Sequence, residues 1–134
     1  MITRYLTAVE TAKLIRAALK EAFPGVKFSV RTDVTTIDVR WTNGPVGSAV
    51  DAVVNPFRAR EFGVDYLFAQ RGLTPEFRAR LLTIAEQVLG EPVDETKWYD
   101  QIRGQYVTEW GTWRSATGYN LLRWLEEHVP ATES

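Results

Sequence analysis

The stretch Val26–Pro45 constrains this chain more than any other. Val26, Phe28 and Val30 alternate with Lys27, Ser29 and Arg31, and Ile37, Val39 and Trp41 alternate with Asp38, Arg40 and Thr42. Alternation this regular predicts two strands of a β-hairpin with one buried and one wet face. The tip is Asp33-Val34-Thr35-Thr36. On the wet face Arg31 and Arg40 lie among Ser29 and Asp38. That mixture reads first as cross-strand ion pairing, with a ligand surface as the alternative.

The segments around the hairpin read as helices and one further strand. Thr7 and Glu10 form a T-x-x-E capping box ahead of an apolar stripe of Val9, Ala12, Ile15, Leu19 and Ala22, which predicts a helix over 7–22 stopped by Pro24-Gly25. Lys13, Arg16 and Lys20 make a solvated opposite face. Asn43-Gly44-Pro45 is a turn leading into a short helix over 46–54, which Asn55-Pro56 closes. A charged connector, 58–62, precedes a third strand, Val64 to Gln70. Its apolar residues fall on both sides, Val64, Tyr66 and Phe68 against Leu67 and Ala69, which predicts a central position. Thr74 then caps a helix with Pro75 at its first position and Gly90 beyond its end.

Composition narrows the function more by exclusion than by indication. One domain is expected from 134 residues. The net charge of −1 disfavours both a basic nucleic-acid binder and an acidic DNA mimic. There is no cysteine, which removes disulfides, thiolate chemistry and cysteine metal sites and fits a cytoplasmic protein. The N-terminal residues lack the apolar core of a signal peptide, and no apolar run approaches the ~20 residues of a membrane helix. The single histidine, His128, has only Glu126 and Glu127 beside it as metal ligands. No phosphate loop, nucleophile elbow or zinc-binding helix motif is present. No catalytic, metal or cofactor residue is therefore expected.

The last third is rich in aromatic residues: Trp98, Tyr99, Tyr106, Trp110, Trp113, Tyr119 and Trp124. Tyr99, Ile102, Tyr106, Trp110 and Trp113 match helical spacing, yet Gly104 and Gly111 interrupt it, and 105–110 reads equally as an extended segment. Thr117 caps a final helix, Tyr119 to His128. These aromatics either pack a C-terminal element or form a contact surface, since Trp, Tyr and Arg are enriched at protein–protein hot spots. Six residues are the partner-binding candidates: Trp110, Trp113, Arg114, Tyr106, Arg71 and Arg78. Arg71 and Arg78 enter because cations near the start of a helix oppose its dipole.

A family resemblance runs from Tyr5 to about Gly90. It is carried by Tyr5-Leu6-Thr7 through Ala18-Leu19-Lys20 and Phe23, by Val26-Lys27-Phe28-Ser29-Val30, and by Ile37-Asp38-Val39-Arg40-Trp41 with Gly44-Pro45. Gly63-Val64-Asp65-Tyr66-Leu67-Phe68 with Arg71 and the Pro-containing helix start complete it. In these residues the chain resembles the large polyvalent protein-associated domain 29 type of phages and conjugative elements. It departs in its hairpin tip, where a longer Gly/Ser-rich loop is expected, and in its aromatic last third. The resemblance implies no catalytic residues. It implies a mobile-element setting, with counter-defence (anti-CRISPR or anti-restriction) as the role of a free-standing copy.

The expected fold is α+β, in the order α-β-β-α-β-α. A three-stranded, mostly antiparallel sheet carries helices on one face, and the third strand pairs antiparallel with the first. Residues 5–90 form the core of a single domain, and 91–134 form an aromatic-rich helical extension. The expected function is a non-enzymatic inhibitor or adaptor that binds a host defence protein in the host cytoplasm. The alternative is a nucleic-acid-binding domain using Arg31 and Arg40, or the group Arg58, Arg60, Arg71, Arg78 and Arg80.

Overall fold

The computed structural model describes residues 6–92, 105–114 and 121–131. They divide into two compact units, one up to Gly72 and one from Leu73 to Ala131. In the first unit the elements are α1 (Ala8–Ala22), β1 (Ser29–Asp33), β2 (Thr36–Thr42), α2 (Gly47–Val54) and β3 (Tyr66–Gly72). Two 3₁₀ turns, Asn55–Arg58 and Arg60–Phe62, fill the charged connector. The second unit holds α3 (Pro75–Leu89), β4 (Gln105–Thr108), β5 (Gly111–Arg114) and α4 (Leu121–His128). The fold is α+β, with the expected order of elements. Among the described residues no helix is long and apolar enough to cross a membrane.

The capping box forms as the sequence predicts. The Glu10 N–H donates to Thr7 Oγ1 at 3.1 Å and the Thr7 N–H donates to Glu10 Oε1 at 3.2 Å, satisfying donors that the first turn of α1 leaves open. Ala8, Ala12, Ile15 and Leu19 then face the sheet. The buried hydroxyl of Thr11 donates to the Phe62 carbonyl at 2.8 Å, and the Leu6 N–H donates to the Glu61 carbonyl at 2.8 Å. These two bonds fasten the start of α1 to the turn before β3. That approach needs a glycine. Gly63 has φ +59, and a Cβ there would collide with the Leu6 carbonyl oxygen.

The sheet order is β1-β2-β3. β1 and β2 are antiparallel, with Val30 opposite Val39 and Arg31 opposite Asp38. β3 lies parallel to β2, with Ile37 beside Leu67 and Asp38 beside Phe68. The sheet is thus mixed, and the expected pairing of the third strand with β1 is overturned. The expected direction is retained, because a strand antiparallel to β1 is parallel to β2; only the neighbour differs. The connection through α2 returns the chain to the end where β2 begins, which permits a parallel neighbour on the free side of β2. Centrality belongs to β2, whose Ile37, Val39 and Trp41 are all buried, whereas β3 is an edge strand. On β3, Leu67 enters the core, and Tyr66 and Phe68 face outward at 62% and 47% exposure.

Both edge strands are guarded by arginine. Arg16 of α1 donates from Nη2 to the Val30 carbonyl of β1 at 2.7 Å. Arg58 donates from Nη2 to the Leu67 carbonyl of β3 at 3.0 Å, while also meeting Asp51 Oδ1 at 2.9 Å. An unpaired edge carbonyl is a template for strand addition, and a guanidinium seated on it blunts that template.

The second unit has its own core. Phe77, Leu81 and Ala85 of α3 pack with Trp113 and with Leu121, Leu122, Trp124 and Leu125 of α4. The apolar stripe of α3, assigned from the sequence to the 5–90 core, thus packs with the aromatic C-terminal elements. Thr74 Oγ1 accepts from the Phe77 N–H at 3.1 Å, and Gly90 closes the helix in the left-handed region. The ambiguous stretch around Trp110 is a β-hairpin rather than a helix. Tyr106 stands opposite Trp113, and the Thr108 hydroxyl donates to the Gly111 carbonyl at 2.8 Å. Gly111, at φ +136, leaves the helical region and lets the Trp124 ring close over it. The readings that rest on Trp98, Tyr99, Ile102, Thr117 and Tyr119 lie outside the described residues.

Two glycine-related substitutions test this account by urea unfolding. Gly63→Ala is expected to lower stability by roughly 2–4 kcal/mol, the left-handed penalty of ~1–2 kcal/mol plus displacement of the Leu6 backbone. Val34 has φ +52, a conformation that a β-branched residue adopts at a cost. Val34→Gly is therefore expected to raise stability by up to about 1 kcal/mol, whereas a glycine elsewhere in a strand lowers it by ~0.5–1 kcal/mol. A fall in the unfolding midpoint of that variant would contradict the assignment.

Candidate functional site

The feature that stands out is the sheet face turned away from α1 and α2. Strand parity places Ser29, Arg31 and Asp33 of β1 on this face, with Thr36, Asp38 and Arg40 of β2 and Tyr66, Phe68 and Gln70 of β3. They form three rows across the strands: Ser29–Arg40–Gln70, Arg31–Asp38–Phe68 and Asp33–Thr36–Tyr66. Tyr66 and Phe68, two residues apart on one strand, hold parallel rings with centroids 6.1 Å apart and planes 2° apart. Val34, at the hairpin tip, is 87% exposed. The tip is tied to the start of β3, because Thr35 Oγ1 donates to Asp65 Oδ2 at 2.7 Å and the Asp65 N–H donates to the Thr35 carbonyl at 2.8 Å. Val34 is thus held at the same end of the sheet as Tyr66, with Phe68 one row further along.

The charges on this face do not pair as the sequence suggests. Asp38 stands opposite Arg31 in the register, yet its Oδ2 accepts from Arg40 Nε at 2.7 Å, a contact within one strand. Its Oδ1 is enclosed and has no hydrogen-bond partner among the described residues. Arg31 is exposed, makes no side-chain hydrogen bond or ion pair among the described residues, and lies in the same row as Phe68 with Asp38 between them. An exposed aromatic pair on a face that also carries an uncommitted guanidinium has the composition of a contact surface, since aromatic residues and Arg dominate binding energy at interfaces.

The residues selected from the sequence take other places. Trp113 is 2% exposed and lies in the second core. Tyr106 is half-buried and stacks on Trp113 at 5.9 Å. Trp110 is half-buried against the same core, in the turn between β4 and β5. Arg114 ends β5 opposite Gln105. Arg78 is exposed on α3. Arg71, at the end of β3, donates to the Asn43 carbonyl at 2.8 Å and the Gly44 carbonyl at 3.1 Å, holding the turn after β2. Tyr106, Trp110 and Trp113 are brought together, and they pack more than they project. Three arginines of the nucleic-acid alternative are also engaged: Arg40 with Asp38, Arg58 with Asp51 and Leu67, and Arg71 with the Asn43–Gly44 turn.

Tyr66, Phe68 and Val34 are absent from the sequence-selected set. A signal for the first two was present in the alternation of β3, but its phase is decided only by the partner strand. For Val34 the signal was a valine at a two-residue hairpin tip, where glycine or asparagine is usual.

Comparison with known proteins bears on the origin of the chain rather than on its chemistry. No curated protein and no solved structure matches it. Residues 6–79 match the family described as large polyvalent protein associated domain 29, a family associated with polyvalent proteins of phages and mobile elements. The matched segment covers α1 to β3 and the first turn of α3, and ends short of Gly90. With more than half of its length matched, the chain belongs to the large polyvalent protein associated domain 29 family.

Proposed function

We propose that this domain is a non-enzymatic protein-binding inhibitor or adaptor of a phage or mobile element. It acts in the host cytoplasm by docking on a host protein, with counter-defence (anti-CRISPR or anti-restriction) as its role. The observation that carries this reading is the exposed Tyr66–Phe68 pair on the open sheet face, which also presents Arg31 on its far strand. The cost of keeping that much apolar surface in water is understandable if a partner covers it. Two guanidinium groups sit on edge carbonyls, so the face rather than the edge is the available surface. The family's association with phages and mobile elements supplies the setting.

Nucleic acid is the second reading, because the same parallel rings are what a single-strand stacking platform uses. The balance of charge is against it. On the three rows Arg31 and Arg40 are offset by Asp33 and Asp38, so phosphate attraction is weak.

Co-purification of the tagged chain from a host lysate is expected to return a defence component, and Tyr66→Ser/Phe68→Ser is expected to lose it. The expected loss is tenfold or more in affinity, since hot-spot aromatics contribute on the order of 2 kcal/mol. Val107→Ser, at an exposed position on the other unit's hairpin, is expected to retain the partner. Both variants should unfold within about 1 kcal/mol of the parent, because the altered side chains are exposed. Gel shifts with single-stranded DNA and RNA at ~50 mM salt are expected to show no complex; a complex there would favour the second reading.

A further inference from the structure

We propose that the open sheet face is self-complementary and that two copies of this chain associate through it as a weak two-fold dimer. The face is shared with the host-protein reading, but this inference does not depend on it.

The pattern of side chains carries the inference. β1 presents Arg31 and Asp33, two residues apart and opposite in sign. β3 presents Phe68 and Tyr66, also two residues apart, in the corresponding rows. Consider a two-fold axis between those rows, lying between the two facing sheets and perpendicular to the strands. It reverses strand direction while keeping each strand over its own counterpart. Arg31 of one copy then lies over Asp33 of the other, twice. Phe68 of one copy lies over Tyr66 of the other, also twice. The row carrying Arg40 and Gln70 comes over the hairpin tip of the second copy, where Asp65 is exposed. One operation thus satisfies the charged strand and the aromatic strand together, as an isologous interface requires. Asp38 turns Oδ2 to Arg40 within its own strand, and its Oδ1 is enclosed, so its hydrogen bonding is not directed at Arg31.

The area limits the affinity. Three strands about 4.8 Å apart and five residues deep at ~3.3 Å each give a patch roughly 15 Å on a side. That is well below the ~800 Å² per partner of a standard stable interface. A dimer of this size dissociates at low concentration and leaves the face available to a larger partner.

Sedimentation equilibrium of the purified full chain, alone, from ~10 μM to ~1 mM, tests the proposal. The weight-average mass is expected to rise from 15.3 kDa toward twice that value. Arg31→Asp and Asp33→Arg each bring like charges together and are expected to weaken association at least tenfold. The double exchange Arg31→Asp/Asp33→Arg restores opposite signs and is expected to recover it. An equimolar mixture of the two single variants is expected to form the mixed dimer, which a mere folding defect in either cannot produce. Tyr66→Ser/Phe68→Ser is expected to abolish association. A constant mass of 15.3 kDa across the range, assemblies larger than two, or single charge reversals without effect would each overturn the proposal. None of these outcomes alters the lysate experiment, which reads a different partner.

Discussion

The first unit depends on the burial of one strand. Ile37, Val39 and Trp41 of β2 are sealed by α1 and α2 on one face and by β1 and β3 at its sides. At 25 cal/mol per Å² of apolar surface, each such residue contributes on the order of 1.5–3 kcal/mol. Trp41 adds a polar tie, because its indole N–H donates to the Pro45 carbonyl at 2.8 Å and holds the turn that leads into α2. That turn sets up the crossover, and the crossover delivers β3 parallel to β2. Sheet order, edge strands and the outward row of β3 all follow from this placement.

The arginines show how one residue type serves different ends. Arg16 and Arg58 are spent on edge carbonyls, Arg71 on the carbonyls of a turn and Arg40 on a neighbouring carboxylate. The planar guanidinium suits such work because it offers several donors in fixed directions and keeps its charge. From the chain alone, these residues resemble a phosphate-binding set. In the fold they are largely structural, and Arg31 is the guanidinium on the open face without a side-chain partner among the described residues. Strain points to the same end of the sheet. Val34, at the two-residue hairpin tip there, keeps an exposed, β-branched side chain in a left-handed conformation.

Much was legible in the residues themselves. The capping box, the hairpin, both proline-guided helix starts and the core face of β1 and β2 follow from local chemistry, which acts over a few positions and survives into the fold. The family is legible for the same reason, since its pattern is carried by those local elements. The hairpin of Tyr106 and Trp113 was not, because its aromatics satisfy two periods at once, and the choice falls to Gly111 and the Thr108 bond. The aromatic third looked like a surface because Trp and Tyr occur in both cores and interfaces; here Trp113 and Trp124 are core.

By itself the sequence determined the elements from α1 to α3, the caps of α1 and α3, and the family. Tertiary structure decided which strand lies in the middle, which side of β3 faces water and which arginines remain available. The physical reason is the two-residue repeat of a strand. Alternation says that Tyr66 and Phe68 share a side, but only the strand beside them says which side is buried.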